Sequence, residues 1–142
     1  MKRQIAAWEQ EYLGAGKMRI ESSYTNQAEP SVFWFQQQLL RRGMAKGKIL
    51  DLGCGRGRNA LVFLNRGWQV TAVDAAWPAL REFKRLAGLR AGAKALKLQR
   101  LDFQQPLPFG REAFDAAMVL AGKVAAQPPN LRYRKFNVSR EW

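Results

Sequence analysis

Between Lys48 and Asp74 the chain reads KILDLGCGRGRNALVFLNRGWQVTAVD. A short apolar run leads into a loop with glycines at alternate positions, then a longer apolar stretch, then a second apolar run that ends on an acid. Few architectures accommodate that order. KILDL and GWQVTAVD are too short and too continuously apolar for amphipathic helices and fit buried strands. Between them GRNALVFLNR suits a helix with Ala60, Leu61, Phe63 and Leu64 turned inward. The alternation continues: PALREFKRLAGL reads as a helix with Pro78 in its first turn, KALKLQRLD as a third strand and AFDAAMVL as a fourth. Strands alternating with helices predict an α/β fold, a Rossmann-like doubly wound, mostly parallel sheet with helices on both faces. Upstream, residues 3–13 and 31–44 read as helices separated by the loop ESSYTNQAEP. In the second, Pro30 and Ser31 mark the start, and Val32, Phe33, Phe35, Leu39 and Leu40 are expected on one apolar face.

The loop falls at the carboxyl end of the first strand, where open α/β sheets take their ligands. Gly53, Gly55 and Gly57 permit sharp turns and close approach of a ligand. Their spacing is not that of a dinucleotide loop, because Arg58 stands where the third glycine of G-x-G-x-x-G belongs, and no G-x-x-x-x-G-K-[ST] loop is present. Asp51, just before the loop, would repel a pyrophosphate and would suit an ammonium group. Asp74, ending the second strand, can accept both hydroxyls of a ribose. A nucleoside without phosphate that carries an amino acid meets both conditions, and S-adenosylmethionine is such a molecule.

These residues resemble a known family. ILDLGCGRGRNALVFLNRGWQVTAVD is similar to the first motif and acidic second-strand end of class I S-adenosylmethionine-dependent methyltransferases, and GCGRGRN with GWQVTAVD most resembles the tellurite-resistance and thiopurine branch. LDFQQPLPF is similar to the family's third-strand stretch and FDAAMV to its fourth strand, so the likeness spans about residues 45–120. It implies a cofactor set of Asp51, Gly53, Cys54, Gly55, Gly57, Arg58, Asn59, Asp74, Ala75, Asp102 and Phe103. Within it Asp51 and Gly53 would flank the methionine part, Asp74 would hold the ribose, and Asp102 with the Phe103 backbone would meet adenine. Arg58 or Asn59, opening a helix, would face the cofactor carboxylate or a substrate anion, or else a solvated helix face. Cys54 itself reads as a small buried packing residue. Tyr12, Tyr24 and Trp8 fall where this family often folds a lid over the cofactor, although packing alone would also account for each of them.

Composition limits the chemistry further. The 142 residues suit one domain, and 47% apolar content provides for a core. No histidine is present and Cys54 is the only cysteine. Histidine-based triads, Cys-His nucleophiles, disulfides and the usual zinc sites are therefore excluded, and no metal ligand set is expected. No residue stands out as a catalytic base. Methyl transfer from a sulfonium depends first on positioning and desolvation, so a soft or already ionised small-molecule acceptor is the expected substrate. No apolar run reaches the length of a membrane span, and Glu9 and Glu11 interrupt any signal-peptide core, so a cytoplasmic protein without membrane contact is expected. The net charge of +13 favours polyanions, which leaves nucleic-acid contact as one reading and a generally basic surface as the other.

The family's sheet has seven strands, and residues 121–142, AGKVAAQPPNLRYRKFNVSREW, do not resemble the parts that follow the fourth. The expectation is a sheet truncated after about the fourth strand. Residues 1–44 then form a helical cap, 45–120 the cofactor-binding core and 121–142 an atypical tail. In that tail QPPN reads as a proline turn, and LRYRKFNV is a candidate edge strand that would cover the fourth strand. An edge left bare would be a surface for pairing two copies. The alternative to an enzyme is a non-catalytic cofactor-binding remnant or a basic module that binds RNA or a partner.

Overall fold

The computed structural model describes residues 2–13, 27–90, 92–102 and 105–119. Tyr24, Phe103, the QPPN turn and the candidate edge strand lie outside them.

Helix α1 spans Lys2–Tyr12 and α2 Pro30–Arg41. The alternation follows: β1 Lys48–Leu52, α3 Ala60–Leu64, β2 Gln69–Asp74, α4 Trp77–Gly88, β3 Leu96–Arg100 and β4 Ala116–Met118. All neighbouring strands run parallel, in the order β3-β2-β1-β4. The register sets Ile49 beside Val70 and Ala116, and Asp51 beside Ala72 and Met118. Those residues share one face of the sheet, since side chains alternate along a strand.

That face carries the main core. Ile49, Val70, Ala72, Ala116 and Met118 cluster with Val32, Phe35 and Leu39 of α2, with Ala60, Leu61, Phe63 and Leu64 of α3, and with Leu80, Phe83 and Ala87 of α4. Phe63 sits at its centre, 5.9 Å from the Phe35 ring and edge-on to Trp68 at 5.5 Å. The opposite face contributes Leu50, Leu52, Val73 and Ala117 to a smaller cluster closed by Leu107, with Phe109 and Phe114 packed against it. The strand order reverses between β1 and β4, and open α/β sheets take their ligands at the carboxyl ends of the strands beside such a switch.

Three local readings are corrected. Phe33 and Leu40 are not on the buried face of α2: they are 45% and 44% exposed, while Val32, Phe35 and Leu39 are buried. A helical period of 3.6 allows one stripe, and 32-35-39 occupies it. The third strand is shorter than KALKLQRLD, because residues 93–95 form a single tight turn ahead of Leu96. Its Lys97, Gln99 and Arg100 are exposed, as suits the edge of the described sheet. Finally, the regular part of α3 is five residues long, because Arg58 and Asn59 are occupied elsewhere and Gly67 and Trp68 close its far end onto Leu64 and Phe63.

Candidate functional site

The loop after β1 folds back over the end of β2. The amides of Gly53 and Cys54 both donate to the carbonyl of Val73, at 2.8 and 3.0 Å. Asp74, the next residue, receives the loop: its Oδ2 accepts the Gly55 amide at 2.8 Å and its Oδ1 the Ala76 amide at 2.8 Å. Gly55 and Gly57 have φ of 55° and 83°, a region costly for residues with a Cβ. Space forbids a side chain as well. A Cβ on Gly57 would run into the Phe83 ring of α4, and one on Gly55 would run into the hydroxyl of Tyr12.

Asp51 ends up within the sheet, 2% exposed, with Oδ2 buried and lacking a hydrogen-bond partner. Burial, with the charge of Asp74 added, pushes its carboxyl from the ordinary range up to about 8. The Asp74 carboxyl is also raised by burial, and backbone amides of Ala76, Gly55 and Ala75 restrain the shift. The Cys54 thiol is pushed up by burial and by the two aspartates, and donates weakly to the Gly55 carbonyl at 3.6 Å. It is a buried thiol held in its neutral form, not a nucleophile.

Arg58 and Asn59 act together on the segment ahead of α2. Arg58 reaches the Gln27 carbonyl at 3.0 Å and the Glu29 carboxylate at 2.8 Å, and Asn59 Oδ1 accepts the Glu29 amide at 2.9 Å. Ser31 donates to the other oxygen of Glu29 at 3.4 Å. The Ala75 carbonyl accepts from Arg100 Nε at 3.1 Å, and the Asp102 carbonyl accepts the Gln105 amide at 3.0 Å. Thus Asp51, Gly53, Cys54, Gly55, Gly57 and Asp74 converge at the ends of β1 and β2, Ala75 and Asp102 border that region, and Arg58 and Asn59 hold residues 27–29 beside it.

Two contributors, Glu9 and Glu29, were not singled out from sequence as part of the site, whereas Tyr12 was expected there as a lid residue. Helix α1 lies over the loop through Tyr12, whose hydroxyl is held well above its ordinary range by burial and by Asp74 and Cys54. Glu9 fixes that helix, accepting from the Trp77 amide at 3.3 Å and from Arg100 Nη2 at 3.0 Å. Glu29 is the second contributor, and its only signal was an acid directly before Pro30 at a helix start.

A buried acid with one unpartnered oxygen, beside a loop held close by Gly55 and Gly57, fits a ligand bearing an ammonium group. The residues present therefore fit an amino-acid-bearing nucleoside. Among the described residues, no group of three His, Cys, Asp or Glu could hold a metal ion. Nor is any described helix long and apolar enough to cross a membrane.

Comparison with known proteins agrees with the fold. The fold resembles that of a protein solved in work on conversion of a disulfide bond into a thioacetal group during echinomycin biosynthesis, with a TM-score of 0.63 and 23% identity over 84% of this chain and 47% of that one. The glycopeptide N-methyltransferase MtfA, complexed with S-adenosyl-L-methionine, gives 0.54 and 22% identity over 68% and 41%. The CcbJ methyltransferase from Streptomyces caelestis gives 0.54 and 20% identity over 65% and 36%. The chain spans less than half the length of each of these proteins. No curated protein matches it. The sequence pattern described as "Methyltransferase domain" matches residues 49–136, more than half the chain, and takes in β1 from its second residue, the glycine loop and all of β2. The chain belongs to that methyltransferase-domain family.

Proposed function

We propose that this chain binds S-adenosylmethionine on the glycine loop and serves methyl transfer to a small-molecule acceptor in the cytoplasm. The observation that carries the reading is the buried, unpartnered Oδ2 of Asp51 at the end of a central strand. A buried carboxylate in that position is costly unless a cation meets it, and the cofactor's ammonium is such a cation. When bound, the sulfonium supplies a methyl carbon already activated for in-line displacement.

The chain's own residues supply the rest. Asp51 takes the ammonium, and the backbone at Gly53 and Gly55 lets the methionine part come close. Asp74 keeps acceptor capacity for a ribose hydroxyl beyond the backbone amides it already accepts, because an ionised carboxylate has about four lone-pair sites. Asp102, with Phe103, borders the adenine. Arg58 and Asn59 act by holding residues 27–29. Helix α1 is part of a cap formed by residues 1–44 that excludes water from the core of residues 45–120, and Tyr12 is its contact with the loop. With no histidine and Cys54 neutral, the site suits an acceptor that arrives as a good nucleophile. Within the family, GCGRGRN and GWQVTAVD support the tellurite-resistance and thiopurine branch.

Calorimetric titration with S-adenosylmethionine and with its demethylated product tests the reading. Binding by the chain, and its loss in Asp74→Ala, is expected. A folded chain that binds neither compound would overturn it.

A further inference from the structure

We propose that the outward face of α4 is a docking strip for single-stranded RNA, adjacent to the cofactor loop and separate from it. Successive residues of a helix are about 100° apart. On that wheel Lys84, Trp77, Gly88, Arg81 and Arg85 fall on one contiguous arc, and all five are exposed. The opposite arc, Ala79, Leu80, Phe83 and Ala87, is buried in the core. The strip therefore follows from the same periodicity that docks the helix, and its cations, Arg81, Lys84 and Arg85, lie within about 6 Å of rise at 1.5 Å per residue.

Charge decides the class of partner. Among the described residues, Arg81 and Lys84 have no ion pair. The one acid on the helix, Glu82, is already shared between Arg85 at 2.7 Å and Arg56 at 3.5 Å, so it neutralises neither of them fully. Among the described residues, Glu9 is used on Arg100, Glu29 on Arg58 and Asp115 on the Lys48 amide, with Asp51 and Asp74 in the loop. Arg81 and Lys84 thus face solvent without an internal counter-charge among the described residues, in a chain of net charge +13. A polyanion provides that counter-charge and releases its own condensed ions in doing so.

Trp77 selects a single strand over a duplex. Its side chain is 49% exposed at the end of the strip nearest Asp74, while its backbone amide is fixed by Glu9. An exposed indole beside a row of cations offers an unpaired base a stacking surface, and every base has a face to stack, so the strip reads little sequence. A duplex would present phosphates to Arg81 and Lys84 but nothing to Trp77.

The test is fluorescence anisotropy of the full chain with a labelled oligouridylate of about 12 nucleotides, a length covering one such site. Salt is varied from about 50 to 200 mM, the range over which counterion release is read. Three phosphate contacts, from Arg81, Lys84 and Arg85, predict that log K falls against log salt with a slope of about −2. The double variant Arg81→Gln/Lys84→Gln is expected to bring that slope to about −0.7 while leaving S-adenosylmethionine affinity and thermal stability unchanged. Trp77→Ala is expected to weaken binding about tenfold with the slope unaltered. No RNA binding at the lowest salt would overturn the proposal. So would equal binding by the double variant, or binding of phosphatidylserine vesicles with none of RNA. Because cofactor affinity is read separately on the same proteins, failure of the strip and failure of the cofactor site are told apart.

Discussion

Asp74 closes the glycine loop from the neighbouring strand: its Oδ2 accepts the Gly55 amide hydrogen at 2.8 Å, across 19 residues of sequence. The same carboxylate takes the Ala76 amide and so also fixes the start of α4. One side chain sets both walls of the candidate cofactor site. Asp74→Ala leaves two amides without their acceptor, each hydrogen bond to a charged group contributing about 1.5–3 kcal/mol. Relief of the buried charge offsets part of that loss. Urea unfolding of the variant is expected to show a net loss of about 2 kcal/mol with an unchanged m-value.

The contact of Gly57 with Phe83 gives a second prediction. Gly57→Ala must place a methyl group where the ring lies, at a φ of 83°. A loss of about 2–3 kcal/mol is expected from overpacking and backbone strain together. Phe83→Leu in the same chain makes room, so a double-mutant cycle should show favourable coupling between the two changes. Strict additivity would place the cost in the backbone alone.

The Arg58–Glu29 pair lies between surface and interior, with side chains 15% and 20% exposed. Its coupling, measured by a cycle of Arg58→Gln and Glu29→Gln, is expected near 1 kcal/mol, above the usual surface pair and well below a buried one. Limited proteolysis should find residues 27–29 more readily cut in either single variant.

Stability should depend on pH through Asp51. The folded chain holds this proton up to about pH 8, whereas the unfolded carboxyl titrates near 3.9. A raised folded pKa contributes stability that is complete below the unfolded value and is lost as pH rises towards 8. Melting temperature should therefore fall across that interval. Asp51→Asn removes most of this slope, leaving the smaller part due to Asp74, and above pH 8 should melt roughly 5 °C or more higher than the parent chain.

Much of this site was legible in the sequence, for identifiable reasons. Short apolar runs separated by a glycine loop fixed β1 and β2, and an acid at the end of each run marked Asp51 and Asp74. The inward set Ala60, Leu61, Phe63 and Leu64 followed from helical spacing. Phe33 and Leu40 were misplaced because apolar character alone does not say which stripe of α2 meets the sheet. Glu29 was out of reach for another reason: its partner Arg58 is 29 residues away, and no local periodicity encodes such a pairing. Tyr12 was named as a lid residue from the resemblance, but periodicity did not say which glycine it would meet.

The central claim is that the buried Asp51 carboxylate exists to meet the cofactor's ammonium, and one comparison tests it. S-adenosylmethionine is titrated calorimetrically into the parent chain and into Asp51→Asn at pH 8, with folding of both verified by thermal melting. The account predicts binding to the parent and none to the variant, although the variant is the more stable protein. Equal binding to both, or no binding to the folded parent, would contradict it.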